Sequence, residues 1–273
     1  MLASSRRAVS LAAVSDVSAD RRRAESFGDD AERYDRARPT YPASLIDRLT
    51  GGAPGTAVDV GCGTGRVARL LQAAGWRVVG VEADERMAAV ARRSGVHVEV
   101  SHFETWPSPR TDIDLVCAGQ AWHWVDPERG YRRAAELLRP GGRLAVFWNV
   151  DHYEPDITAA IEGAFARHAP GLLDGPVRLA ARGPDRAAQV VEGLTRRHDL
   201  FAGPQLETFG HERTLSVEEW LEEAATHSPV ALLPDEVRGA LFAEVGDRLH
   251  ALTGGAVPVH YETRMATALR TGP

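Results

Sequence analysis

The sequence predicts an α/β protein, a Rossmann-like, seven-stranded, mostly parallel sheet with helices on both faces. Short apolar runs of strand length alternate with segments of helical periodicity between residues 56 and 150. Such alternation is typical of parallel strands joined by right-handed helical crossovers. A glycine-rich turn follows the first strand and opens the first crossover helix, as in many sheets of this class. The prediction also includes N-terminal helices and an inserted α-helical cap.

Five apolar runs are predicted as strands of the first half of the chain. Each is rich in the aliphatic and β-branched residues that a strand buried on both faces requires. They lie at 57–60, 78–81, 96–100, 114–118 and 144–148. An alternating stretch at 257–268 predicts a late, antiparallel strand.

The helices are predicted from apolar periodicity and from the signals at their ends. Asp84 and Asp126 are suitable N-cap residues, and Pro127 fits the first turn of a helix. Ser216 and Glu219 have the spacing of a capping box. Further helices are predicted at 26–34, 43–49 and 234–252.

Changes in composition divide the chain into four segments. Residues 1–24 mix small, polar and basic side chains without periodicity, which predicts a flexible tail. Residues 25–150 hold the N-terminal helices and the Rossmann-like domain. Residues 151–198 are interrupted by prolines and glycines and predict a helical cap, or substrate lid, over the ligand edge of the sheet. Residues 199–273 are expected to complete the sheet and its flanking helices.

Composition excludes several classes of function. The chain has 273 residues and a net charge of −6, which is unlike a nucleic-acid-binding domain. Every basic residue is an arginine, so a Walker lysine and a pyridoxal Schiff base are excluded. Two cysteines and scattered histidines predict no disulfide framework and no metal site. No signal peptide or membrane span is predicted, and a cytoplasmic location is expected; the oligomeric state stays open.

The segment 59–65, with the sequence DVGCGTG, is the main chemical signal. Glycines at 61, 63 and 65 allow a sharp turn that brings backbone N–H groups close to a ligand. A dinucleotide fingerprint has its third glycine one residue later, which disfavours a nicotinamide cofactor. Glu82 ends the next strand, where a carboxylate can accept hydrogen bonds from the hydroxyls of a ribose.

This pattern resembles motif I of the class I S-adenosylmethionine (SAM)-dependent methyltransferases. Residues 27–149 are similar to the small-molecule, methyltransferase type 11-like subgroup of that family. The matching features are Tyr34 with Arg38-Pro39, residues 59–65, Glu82, Phe103-Glu104, Gln120-Ala121-Trp122-His123-Trp124 and Leu138-Arg139-Pro140-Gly141-Gly142. Thr226-His227-Ser228 near the C-terminus also resembles this subgroup.

The resemblance implies SAM as cofactor, S-adenosylhomocysteine (SAH) as product, and a set of contacts along the cofactor. The implied contacts are Asp59, Gly61 and Gly63 with the methionine moiety, Tyr34 and Arg38 with its carboxylate, Glu82 with the ribose, Ala83, Met87, Phe103 and Glu104 with the adenine, and Gly119 and Gln120 beneath the sulfonium. Many relatives carry an aspartate before the loop that follows the third strand. Here that position is within Ser101-His102-Phe103, so the adenine amine contact would come from the backbone or Glu104.

The acceptor side is predicted from residues at the ends of the fourth and fifth strands. Trp122, Trp124, Trp148 and Asn149 are either substrate walls or core residues, because side chains at this edge face the ligand crevice. His123 is the candidate general base, with a purely positioning role as the alternative. The expected reaction is methyl transfer to an O, N or C atom of a small molecule, in secondary metabolism for example. The alternatives are a SAM-binding protein that does not methylate and a nicotinamide-dependent oxidoreductase.

Overall fold

The computed structural model describes residues 31–51, 53–174 and 185–272. The tail predicted at 1–24 and the first five residues of the helix predicted at 26–34 lie outside this range. Residues 175–184 of the predicted cap lie outside it as well.

Seven strands form a single sheet. They are β1 (Thr56–Val60), β2 (Arg77–Glu82), β3 (His97–Val100), β4 (Ile113–Gly119), β5 (Leu138–His152), β6 (Phe201–Ser216) and β7 (Ala256–Arg270). Their order is β3-β2-β1-β4-β5-β7-β6. The five strands from β3 to β5 are parallel to their neighbours, whereas β7 runs antiparallel to both β5 and β6. The predicted Rossmann-like fold is confirmed.

The described residues form eleven helices around this sheet. They are α1 (Ala31–Ala37), α2 (Ala43–Thr50), α3 (Arg66–Ala73), α4 (Glu85–Arg93), α5 (Pro127–Leu137), α6 (Pro155–His168), α7 (Gly171–Asp174), α8 (Arg186–Thr195), α9 (Val217–Ala225), α10 (Ser228–Ala231) and α11 (Asp235–Thr253). The capping box at Ser216 and Glu219 is present, and Asp84 and Asp126 cap α4 and α5 as predicted. Of the helices described, none is long and apolar enough to cross a membrane.

Two apolar layers lie on opposite faces of the sheet. One contains Leu45 of α2 and Leu71 of α3 with Phe147 of β5, and the other contains Leu137 of α5 and Leu194 of α8. A third cluster joins α6, α9 and α11 to the far ends of β6 and β7. Because β6 and β7 extend past the parallel strands, they form a platform beyond the carboxyl edge of the sheet.

The described part of residues 151–198 differs from a single inserted cap in two respects, and a lid role for this segment stays a prediction. First, β5 continues through the predicted boundary to His152. Second, α8 buries Ala187, Val190 and Leu194 in the same apolar layer as β4 and β5, so it is one of the helices that cover the sheet. Only α6 fits a separate unit, and it packs on α11 rather than over the ligand edge. Of the described prolines and glycines in this segment, Pro155 begins α6 and Gly171 begins α7.

Strand β6 was not predicted. It pairs with β7 on one side only, and most of its side chains are exposed or half-buried. Such an edge strand needs few apolar residues. The Gly203-Pro204 pair at its start coincides with a shift in register between Ala202 and Gln205. In the sequence, a Gly-Pro pair is typical of a loop, so the strand is not predicted there.

Candidate active site

The loop after β1 depends on glycine at two positions. Gly61 and Gly63 have φ angles of 59° and 56°, a region that side chains other than glycine rarely adopt. A Cβ atom on Gly61 would lie 2.6 Å from the Cβ atom of Ala121. The Gly61 N–H donates to the carbonyl oxygen of Val81 over 2.8 Å, which fixes the loop to β2. The predicted sharp turn therefore forms at the carboxyl edge of the sheet.

Two carboxyl groups flank this loop. Asp59 is 1% exposed and accepts a hydrogen bond from the Ala68 N–H over 3.1 Å. Burial raises the pKa of Asp59 to about 8, and the nearby charge of Glu82 adds to this. Glu82 accepts hydrogen bonds from the backbone N–H groups of Gly63 and Asp84, at 2.8 and 2.9 Å. Burial also raises the pKa of Glu82, although these hydrogen bonds oppose the rise.

Arg38, just after α1, is the arginine of the predicted site. Its Nη2 donates to the carbonyl oxygen of Thr226 over 3.0 Å, and its Nη1 lies 3.2 Å from Nε2 of His227. The guanidinium carbon stands 5.1 Å from the centre of the Tyr34 ring. Its Nε is buried and has no hydrogen-bond partner in the described part of the chain. The Thr226-His227 pair that the sequence singled out thus holds Arg38 in place.

Asp35 and Arg66 are candidate site residues that sequence reasoning missed. Asp35 accepts hydrogen bonds from the Thr64 hydroxyl at 2.7 Å and from Arg69 Nη2 at 2.8 Å. Arg66 donates to the backbone oxygens of Asp35 and Arg38. Burial acts against ionisation, but the bonds from Arg69 and Thr64 keep the pKa of Asp35 below its ordinary value. Together these contacts fasten α1 to the glycine loop.

A cavity of about 470 Å³ lies between the glycine loop, α1 and the ends of β4 and β5. It is lined by eight of the predicted site residues, namely Tyr34, Arg38, Asp59, Gly61, Gly63, Gly119, Gln120 and Asn149. Tyr41 and Arg66 also line it and were not predicted. Burial raises the pKa of Tyr41 far above its ordinary value, so its hydroxyl keeps its proton.

The end of β4 carries the one described non-glycine residue with a positive φ angle. Gln120 has a φ of 61°, and its N–H donates to the carbonyl oxygen of Phe147 over 2.8 Å. Its side-chain amide donates to the carbonyl oxygen of Asn149 over 3.4 Å. Backbone strain of this kind is concentrated at functional sites. Asn149 is itself fixed, because it donates to the Thr40 carbonyl and accepts from the Thr263 hydroxyl at 2.6 Å.

The residues predicted near the adenine lie beside this cavity rather than in its lining. Ala83 is exposed, and Met87 is buried with Ala31 in the contact between α1 and α4. Phe103 is buried in the sheet core. Glu104 accepts a hydrogen bond from the Asp126 N–H over 2.6 Å. Their roles toward an adenine stay predictions.

The predicted aromatic wall does not line the cavity. Trp122 and Trp148 are 4% and 5% exposed and belong to the apolar layer that contains α5 and α8. Trp148 precedes Asn149 on β5, and neighbouring strand residues point to opposite faces. Asn149 faces the cavity, so Trp148 points away from it. Trp124 is 37% exposed.

His123 lies with Trp148, on the far side of β5 from the cavity. The Trp148 Nε1–H donates to Nδ1 of His123 over 3.3 Å. A neutral imidazole has one nitrogen with a free lone pair, and this bond assigns it to Nδ1. The protein atoms around the ring, with the Arg186 charge, keep the pKa of His123 below its ordinary value. This geometry favours the positioning role and gives the base role no support.

Comparison with known proteins agrees with the fold and the loop. Residues 58–146 match the family described as methyltransferase domain. The chain is 39% identical over 126 residues to an uncharacterized methyltransferase of Mycobacterium tuberculosis, a match covering 45% of this chain and 52% of that relative. Residues 58–146 are thus a methyltransferase domain, and the chain spans about half the length of the curated relatives it matches.

Two further comparisons give one more relative and a solved structure of similar fold. Trans-aconitate 2-methyltransferase of Mycobacterium ulcerans is 36% identical over 152 residues, 54% of this chain and 56% of that relative. A solved structure of a candidate type II methyltransferase from Anaeromyxobacter dehalogenans superposes with a TM-score of 0.66 at 24% identity. It covers 86% of this chain and 99% of that one, so this methyltransferase fold extends well beyond the matched domain.

Proposed function

We propose that this methyltransferase binds SAM in the cavity beside the glycine loop and methylates a small-molecule acceptor. The buried, unpartnered Nε of Arg38 carries the proposal. Buried donors almost always have a partner, and an orphaned one at a site suggests a missing ligand. A carboxylate, such as that of a methionine moiety, is the partner that a guanidinium binds best.

Asp59 and Gly63 in the cavity lining, and Glu82 beside it, fit the remainder of SAM. Asp59 offers a buried carboxyl to an ammonium group. Each Glu82 oxygen accepts one backbone N–H, and a carboxylate oxygen has a second lone pair for a ribose hydroxyl. Gly63 leaves open space, because a Cβ atom there would meet only Met87 Cε, at 3.4 Å. The chain thus supplies a partner for each polar end of the cofactor.

When bound, SAM would supply a methyl group on a sulfonium sulfur. The protein's main task in such an in-line displacement is to align the reacting groups and to exclude water. The acceptor end of the cavity would be formed by residues at or beside the ends of β4 and β5, namely Gln120, Tyr41 and Asn149. None of them must form a covalent intermediate with the substrate.

A small-molecule acceptor and a cytoplasmic location complete the proposal. A net charge of −6 does not favour a nucleic-acid acceptor. The cavity is lined by both apolar and polar side chains, as sites for small ligands are. Both cysteines are buried and unpaired, as a reducing compartment would keep them.

Titration calorimetry tests the cofactor. SAM and SAH should both bind, and NAD and NADP should give no heat of binding. Glu82→Ala should weaken SAM binding by about tenfold or more, because hydrogen bonds to a charged acceptor contribute roughly 1.5–3 kcal/mol each. Glu85→Ala is the matched control, since Glu85 is exposed and pairs with Arg92. Binding of a nicotinamide cofactor without SAM would overturn the proposal, and unchanged affinity in Glu82→Ala would remove Glu82 from the site.

A further inference from the structure

A second polar group of side chains lies on the same face of the sheet as Asn149. Residues two apart on a strand share a face, so Asp151 follows Asn149 on the cavity face of β5. Asp151 is paired with Tyr261 of β7, and Tyr261 is paired with His211 of β6. These three side chains form a row across three strands. The row lies two residues along β5 from Asn149, which lines the cavity.

Helix α9 covers this row and adds a carboxyl group. The Tyr261 hydroxyl donates to Glu223 Oε2 over 2.9 Å, and the two residues are 1% and 8% exposed. The His211 ring stacks on the Tyr261 ring with centres 5.1 Å apart and planes 17° apart. We call Asp151, His211, Glu223 and Tyr261 the distal polar cluster.

The distal polar cluster is incompletely satisfied in the described structure. Both ring nitrogens of His211 are buried and lack a hydrogen-bond partner. Burial raises the pKa of Glu223 to about 7, and the Asp151 charge adds to the rise while Arg38 and Arg213 oppose it. An unsatisfied buried polar group destabilises a fold. The neighbouring residues, such as Leu215 and Val259, are apolar. Apolar side chains could therefore fill the positions of the distal polar cluster as far as packing is concerned.

Arg38 links the distal polar cluster to the cavity. Its guanidinium lines the cavity and contacts Thr226 and His227, which directly follow α9. The same charge acts on Glu223. The cluster therefore lies close enough to Arg38 for its charge to act on Glu223, at the end of α9 that Arg38 contacts.

We propose that the distal polar cluster is the acceptor-binding subsite and that it takes an amine or alcohol group of the acceptor. This inference rests on the proposed function. Glu223 and Asp151 present carboxyl oxygens that accept hydrogen bonds, and a neutral His211 offers one donor and one acceptor. A ligand group with an N–H or O–H and a lone pair can donate to a carboxyl oxygen and also accept a hydrogen bond from His211. A polycarboxylate would meet two carboxyl groups of the same sign, so this chain differs in acceptor class from its trans-aconitate relative.

The test uses the full chain loaded with SAH and a fragment set of size-matched amines, alcohols and carboxylates. Binding is measured by saturation-transfer NMR, which needs no turnover. Amines or alcohols should bind, and Glu223→Gln should weaken them by about tenfold or more. Glu222→Gln is the matched control, because Glu222 is the exposed neighbour on the same helix and should leave their affinity unchanged.

His211→Phe is a second variant, since phenylalanine can keep the stack on Tyr261 but has no ring nitrogens. It should weaken the same fragments as Glu223→Gln. Preferred binding of carboxylates, binding that neither variant weakens, or binding of none of the three classes would overturn the assignment. SAH affinity, measured alongside by calorimetry, should be unchanged in both variants. Loss of SAH binding by the wild-type chain would instead contradict the proposed function.

Discussion

The hydrogen bond between Trp148 and His123 determines which ring nitrogen of His123 carries the proton. Nδ1 receives the indole N–H, so the proton of the neutral ring is on Nε2. A base needs a free lone pair at neutral pH, and here the only lone pair is engaged. His123 is therefore expected to hold the Trp148 side of β5 in place rather than to accept a substrate proton.

His123→Gln separates these roles. Glutamine can still accept the indole hydrogen bond but cannot take up a proton. We expect turnover to fall by no more than about threefold, whereas loss of a general base lowers turnover by roughly 10²-fold or more. The pH profile of turnover should keep its shape in the variant. A drop of two orders of magnitude, together with loss of a histidine-like limb, would restore the base role.

Individual residues were predictable where a motif fixes them. Asp59, Gly61 and Gly63 follow from the loop sequence, because only glycine fits the turn. Asp35 was not predictable in the same way. It acts through Thr64 and Arg69, about 30 residues away in sequence, and that contact exists only when α1 has docked.

Helix α1 is a short element held mainly by polar contacts to the loop. Within it Ala31 is buried, whereas Asp35 connects to Thr64, Arg69 and Arg66. Tyr34 and Arg38 reach the cavity from this helix or just after it. Because a helix of seven residues is marginal on its own, its docking decides whether these two side chains are in position.

Asp35→Asn should therefore weaken cofactor binding, although Asp35 itself is not proposed to contact the cofactor. Asparagine keeps one acceptor for Thr64 but removes the charge that Arg69 and Arg66 share. SAH affinity should fall by about fivefold, equivalent to ~1 kcal/mol. Amide exchange in α1 should become faster in the variant. Asp47→Asn, at an exposed position of α2, is the control and should change neither quantity. Equal affinity in all three proteins would show that α1 docks independently of Asp35.

Elements were predictable where periodicity and end signals agree, as in α4, α5 and α9. Sequence prediction is less specific where one local pattern is compatible with two structures. Proline and glycine mark a lid or merely turns between packed helices, and only the packing of Leu194 in the sheet core distinguishes the two for α8. An edge strand such as β6 shows little apolar periodicity, because solvent covers much of it.

Across the molecule, the site holds carboxyl groups that resist ionisation. Asp59 lies beside the glycine loop, and Glu223 is a buried residue of α9. Burial raises the pKa of Asp59 to about 8 and that of Glu223 to about 7. Unfolded carboxyl groups ionise near pH 4. The fold therefore keeps protons that the unfolded chain has already released.

This difference makes stability depend on pH with a defined sign. A carboxyl group with a raised pKa stabilises the fold fully at pH values below about 4 and loses that contribution as pH rises through the raised pKa. Each such group lowers the free energy of unfolding by up to about 1.4 kcal/mol per pH unit in between. The histidines act in the opposite sense below about pH 6.5, because burial lowers the pKa of His211 and His227.

Glu223→Gln isolates one carboxyl group from this background. Glutamine is neutral at every pH, and the histidine contributions cancel when variant and wild type are compared at the same pH. The free energy of unfolding of the variant, relative to wild type, should rise from pH 5 to pH 7 and level off above it. Denaturant unfolding at half-unit pH steps measures this, with Glu222→Gln as the pH-independent control. A difference between Glu223→Gln and wild type that stays flat from pH 5 to pH 8 would show that Glu223 is ionised throughout, and its burial would then have to be balanced by Arg38 and Arg213.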